Sequence, residues 1–139
     1  MNIVMDTGAL HQLLNDVFEQ VAGEYEIEEI TPEGVRVRLN VGHKHLRPGG
    51  TISGPSMFGL ADVAVYLAVL SRIGPEALAV TTNSSFDFMR KPDGDKDMIA
   101  DCRLLKLGRV LAVGDVLLYS EGQEAPVARA TLTYSIPPK

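Results

Sequence analysis

Residues 57–70 read Met57-Phe58-Gly59-Leu60-Ala61-Asp62-Val63-Ala64-Val65-Tyr66-Leu67-Ala68-Val69-Leu70, and all but Asp62 are apolar or glycine. Just before this run, Ser53 or Gly54 can cap a helix and Pro55 is accepted in its first turn; Gly74-Pro75 stops it. That makes a helix of about 18 residues, or roughly 27 Å. A helix apolar nearly all round cannot lie on a wet surface, so other elements must wrap it. The unbroken run is shorter than the roughly 20 residues a membrane span needs.

The rest of the chain supplies the wrapping. Residues 8–19 place Leu10, Leu13, Leu14, Val17 and Phe18 at helical spacing, with Asp6 or Thr7 as cap, and predict an amphipathic surface helix. Two strands follow at about 24–30 and 35–41, joined at Thr31-Pro32-Glu33-Gly34. Val35, Val37, Leu39 and Val41 alternate with Arg36, Arg38 and Asn40, giving one buried and one wet face. After the helix, strands are expected at 77–90, 98–107, 110–120 and 127–136. In the first of these, simple alternation puts Leu78, Val80, Thr82, Ser84, Phe86 and Phe88 on the face turned to the helix. No repeat or linker divides residues 1–139, which are read as one α+β domain with a curved antiparallel sheet around one helix.

Composition excludes several functions. A hydrophobic content of 45% with 22% charged residues is that of a globular chain rather than a disordered one. A net charge of −5 argues against nucleic acid as a partner, because that binding depends on Lys and Arg neutralising phosphate. Cys102 stands alone, alternates with Ala100 and Leu104, and reads as a small core residue in a reducing compartment. Residues 1–6 are not basic and lead into no apolar signal-type run, so the expected location is cytoplasmic, off the membrane. No metal-ligand spacing, phosphate-loop lysine motif or Gly-x-Ser-x-Gly elbow is present, and no metal or organic cofactor is expected.

Asp62 is the centre of the expected chemistry. Stripping an ionised carboxylate of water costs several kcal/mol, so this one needs either a partner supplied by the fold or a task. The segment before it, Arg47-Pro48-Gly49-Gly50-Thr51-Ile52-Ser53-Gly54-Pro55, lets a backbone approach a ligand closely. Backbone N–H groups at a helix N-terminus are unpaired and suit a developing oxyanion; Pro55 has none, which leaves Gly54 and Ser56. Gly54 and Asp62 are about 12 Å apart along the helix. Groups so far apart cannot both touch one carbonyl, so each would act in a site completed by a second copy of the chain, in a symmetric homodimer. Thr82 is placed to hold Asp62 or a water, and Thr81, on the opposite face, is not. His43 and His45 read as solvated loop residues beside Lys44 and Arg47, and His11 as structural. Arg90 and Lys91 at one strand end, with Lys106 and Arg109 at a later turn, are candidates to meet phosphates.

The order of elements, Ser53-Gly54-Pro55 leading to Leu60-Ala61-Asp62, Phe86-x-Phe88-x-Arg90-Lys91-Pro92, Leu105-x-Leu107-Gly108-Arg109 and Ala128-x-Ala130-Thr131-x-Thr133-Tyr134 together resemble the hotdog-fold thioesterases of the PaaI type. The resemblance spans residues 23–137. It implies hydrolysis of acyl-CoA by a homodimer, usually a dimer of dimers. It assigns the base or nucleophile to Asp62, the oxyanion amide to Gly54 and a water-placing hydroxyl to Thr82. Ser53-Gly54-Pro55 stands where the family commonly has His-Gly-Gly, and Arg47 where many members have Asn; both bear on rate and acyl preference. The acyl group is expected near Met57, Phe58, Phe86 and Phe88. Two other functions fit the same fold: a non-catalytic acyl-CoA-binding module, and a hydratase or dehydratase that would need His45.

Overall fold

A computed structural model describes residues 2–138. In chain order these form α1 (Thr7–Val17), β1 (Tyr25–Ile30), β2 (Gly34–Leu39), a turn of 3-10 helix at His43–His45, α2 (Gly54–Ile73), β3 (Val80–Phe88), β4 (Met98–Leu107), β5 (Leu111–Ser120) and β6 (Ala128–Ser135). Element ends differ from expectation where a local bond competes. α1 stops at Val17 because Phe18 leaves helical geometry while its N–H still closes on Leu14 O at 2.9 Å. β3 starts at Val80 because the preceding residues turn, with Ala79 N–H on Glu76 O at 3.0 Å.

α2 is capped as its sequence dictates. Ser53 Oγ accepts from Ser56 N–H at 3.2 Å, and Gly74 leaves the helix at φ 99°, a conformation that suits glycine. Long and apolar enough to cross a membrane by composition, α2 is instead buried in the core, from Leu60 to Arg72 almost without interruption. The last buried residue is charged. Arg72 donates to Thr31 O at 2.6 Å and Gly34 O at 2.8 Å, clamping the end of α2 to the β1–β2 turn, and burial pushes its pKa down.

All strand pairs are antiparallel, in the order β1-β2-β4-β5-β6-β3. Because α2 connects β2 to the far edge strand β3, it crosses the inner face and packs against all six strands. At Gly114 on β5 the approach is so close that a Cβ would lie 2.8 Å from Val65 Cγ2. The two sheet edges are unlike. β1 carries Glu26, Glu28 and Glu29, the last two paired with Arg38 and Arg36, and such charge discourages another strand from pairing there. β3 carries one charged residue, Asp87, and its edge leaves Val80 and Phe88 each 54% exposed.

A β-bulge decides which face of β3 looks inward. The register with β6 shifts between Thr81 and Asn83. Each extra residue in one strand inverts the alternation beyond it. Thr81 therefore sits opposite the buried Tyr134, on the same face as Ser84 and Phe86. Leu78, Val80 and Thr82, expected on the inner face, are exposed.

Candidate active site

Asp62, half-buried on α2, receives two hydroxyl donors. Thr81 Oγ1 donates to Asp62 Oδ1, and Tyr134 O–H donates to the same oxygen at 2.8 Å. Tyr134 O–H also lies 3.0 Å from the main-chain O of Asp62. Burial, and then the Asp62 charge, push the Tyr134 phenol far above its usual pKa, so it is a protonated donor at neutral pH. Tyr25 is pushed up to about 12 by burial and the charges of Glu24 and Asp62. The role expected of Thr82 thus passes to Thr81. Thr82 Oγ1 instead meets Thr133 O at 3.4 Å, because the bulge turned it out of the core. Tyr134 went unassigned from sequence. Its inward position follows from alternation with Leu132 and Ala130, but nothing in the chain order ties it to Asp62.

The carboxylate lines a cavity of about 340 Å³ walled by Val17 and Phe18 from the end of α1, Val63 and Tyr66 from α2, and Ala77, Ala79 and Val80. Phe18 meets Tyr66 edge-on, with ring centroids 6.3 Å apart, and Tyr66 O–H closes on Ala77 O at 3.0 Å. Among the described residues, no lysine, arginine or histidine lines this cavity.

A second groove, about 500 Å³, lies at the other end of β3. It gathers Arg47, Gly54, Met57, Phe88, Arg90 and Lys91. Gly54 sits beside Phe88: a Cβ at Gly54 would lie 3.7 Å from Phe88 Cζ. Phe58, Phe86 and Phe88 form an aromatic row, with centroids 5.4 and 5.6 Å apart. At the start of α2, Ser56 N–H is taken by Ser53 Oγ and Met57 N–H by Ser53 O at 3.1 Å. Ser56 is therefore not the spare donor that the sequence allowed. Gly54 N–H has no acceptor among the described residues. Lys106 and Arg109 do not join this groove. They are exposed at the β4–β5 turn, at the Val80 end of the sheet, whereas Arg90 and Lys91 follow the Phe88 end.

The loop that carries Gly54 is anchored by a histidine expected in solvent. His45 is buried: its Nδ1 accepts from Gly42 N–H at 2.8 Å, so Nε2 carries the proton to Glu24 Oε1 at 2.7 Å. Its carbonyl accepts from Ser53 N–H at 2.8 Å, tying the loop to the start of α2. Burial raises the Glu24 carboxyl, but hydrogen bonds from His45 and Lys44 outweigh it and leave the pKa below the ordinary value of 4.5. A depressed carboxylate stabilises the fold above its unfolded pKa and loses that contribution as pH falls through the folded one. Amide protection factors at Gly42 and Ser53 are expected to fall below about pH 4.5 in the wild type. In Glu24→Gln they should be low already at pH 7. His11 and Cys102 are structural, as read: His11 Nε2 accepts from Ile27 N–H at 3.1 Å, and Cys102 is buried, its thiol pushed up to about 12 by burial.

A curled antiparallel sheet around one long buried helix is the hotdog-type architecture of the thioesterase class. The chain belongs to the thioesterase superfamily, whose family model matches residues 49–127. A candidate thioesterase of Silicibacter sp. TM1040 is 60% identical, superposes with a TM-score of 0.93, and is matched over 99% of this chain and 96% of its own. The phenylacetic acid degradation protein PaaI of Thermus thermophilus, solved as an asparagine-to-aspartate variant, has 25% identity and a TM-score of 0.70 over 91% and 99% of the two chains. A hypothetical thioesterase of Streptococcus pneumoniae TIGR4, solved with coenzyme A, has a TM-score of 0.76 at 24% identity over 91% and 98%. No curated protein sequence matches this chain. Thioester hydrolysis is the activity of the class.

Proposed function

We propose that this protein hydrolyses acyl-CoA thioesters at sites shared between two copies of the chain, in the cytoplasm and with no metal or organic cofactor. The observation that carries the reading is the pairing of a hydroxyl-held carboxylate with an unclaimed helix N-terminal amide, at opposite ends of one open strand edge. Asp62 and Gly54 line separate cavities of one chain, so neither cavity alone holds both parts. Antiparallel pairing of β3 with its copy, about a two-fold axis near the strand's middle, sets the Phe88 end of one chain against the Thr81 end of the other. Each carboxylate then faces a partner amide. The undefended β3 edge, unlike the glutamate-lined β1 edge, supports that choice of interface.

Charge orients the substrate. Arg47, Arg90 and Lys91 stand in the Gly54 groove and suit the phosphates of CoA, whereas the Asp62 cavity is walled by apolar and aromatic side chains and suits the acyl tail. In the hydrolytic step Asp62 takes a proton from water as the water oxygen bonds to the thioester carbonyl carbon. The carbonyl electron pair becomes an oxyanion held by Gly54 N–H. Its collapse breaks the C–S bond, and the departing thiolate takes up the proton. Direct attack by the carboxylate, giving an anhydride that water then opens, uses the same groups.

His45 bears on the hydratase reading. It is committed to Glu24 and lines neither cavity, so the acid lacks the histidine that chemistry would need. The deciding experiment is release of free CoA thiol over a panel of straight-chain and aryl acyl-CoAs. Turnover of at least one member is expected. Tight acyl-CoA binding with no thiol release across the panel would make the protein a binding module instead.

A further inference from the structure

Both hydroxyls at Asp62 take the same oxygen, and this makes the two carboxylate oxygens unequal. Thr81 and Tyr134 donate to Oδ1, while Oδ2 has no partner among the described residues. A carboxylate torsion is broad and roughly two-fold, so an unheld aspartate would exchange its oxygens freely. Two donors on one side stop that exchange. They leave a single oxygen without a donor, on a side chain that lines the cavity.

The two donors differ in how firmly the fold holds them. Thr81 lies on the edge strand β3, beside the bulge, and its position depends on how that edge is covered. Tyr134 lies on β6, flanked by β5 and β3, is 3% exposed, and packs its ring against Tyr66 with centroids 6.1 Å apart. Its hydroxyl cannot move without the ring. We infer that Tyr134 is a positioning residue for the reaction: its phenol O–H pins Asp62 Oδ1, and Oδ2 is thereby the oxygen that takes the proton from water or attacks the thioester carbon. This rests on the hydrolase reading above and adds to it a residue that acts through Asp62 rather than on the reacting atoms.

Tyr134→Phe keeps the ring and removes only the donor. A hydrogen bond to a charged group is strong enough that its loss should lower kcat about ten- to a hundredfold. KM should stay within about twofold, because phenylalanine keeps the ring that borders the cavity. Placed in an Asp62→Asn background, the same substitution should cost no further activity, since a residue acting through Asp62 has nothing left to act on. Replacing Tyr134 with 2,3-difluorotyrosine, which retains the O–H, should keep kcat well above that of Tyr134→Phe, though measurably different from wild type. A wild-type kcat in Tyr134→Phe, or the full loss repeated on top of Asp62→Asn, would overturn the inference. Should Tyr134→Phe not fold, the fluorinated chain still decides. Its more acidic phenol is a stronger donor, so kcat must change with KM unmoved, and an unchanged kcat removes Tyr134 from the mechanism. The hydrolase reading fails separately, if the wild-type chain releases no thiol from any acyl-CoA of the panel; the role of Asp62 fails if Asp62→Asn turns over at the wild-type rate.

Discussion

Asp62→Asn should leave the fold intact and lower thioester turnover by about three orders of magnitude, within the range that removal of a general base produces. Asparagine has nearly the same shape, and its carbonyl oxygen still accepts from Thr81 and Tyr134, so the contacts that place the side chain survive. What disappears is the basic oxygen on the cavity side. The measurement is kcat for thiol release beside the thermal midpoint: the midpoint should hardly move while kcat collapses. A rate within tenfold of wild type would mean that the buried carboxylate is structural, held in the core by its two hydroxyls, and that the chemistry lies elsewhere.

The second large effect comes from mixing two inactive chains. Gly54→Pro removes the free N–H at a helix position that accepts proline, and a Cβ there meets only ordinary contact with Phe88. Loss of an oxyanion donor typically costs about a hundred- to a thousandfold in kcat. Alone, then, Gly54→Pro and Asp62→Asn are both nearly inactive. Unfolded together and refolded, half of the dimers would be mixed. Each mixed dimer has one site with an intact Asp62 from one chain and an intact Gly54 from the other. About a quarter of wild-type activity should return, as two-fold symmetry dictates. If both groups of a site came from one chain, no mixed dimer would contain a whole site, and activity would stay at the level of the separate variants. That experiment tests the shared site directly, and with it the role of the open β3 edge.

The architecture was legible because its signals are strong and local. A helix apolar on every side, with a cap, a proline and a glycine stop, admits one placement, and the strands around it carry turn residues at their ends. Asp62 and Gly54 were legible for the same reason: each stands out against its own neighbours. The anchoring of the loop was not. His45 sits among Lys44, His43 and Arg47 and reads as wet, yet it is buried against Glu24, twenty-one residues earlier, because β1 and the loop meet only in the folded chain.

From its order of residues alone this protein determined that a carboxylate would lie inside a wrapped helix and that a proline would narrow the free amides at the helix start to Gly54 and Ser56; the cap formed by Ser53 then took Ser56. Tertiary structure decided what holds that carboxylate. One extra residue in β3, opposite β6, inverts the strand's alternation, so Thr81 and not Thr82 reaches Asp62, and it does so beside a tyrosine fifty-three residues further along. Period-two alternation reads a strand correctly until that strand takes in an extra residue opposite its partner, and a bulge is a property of the pair.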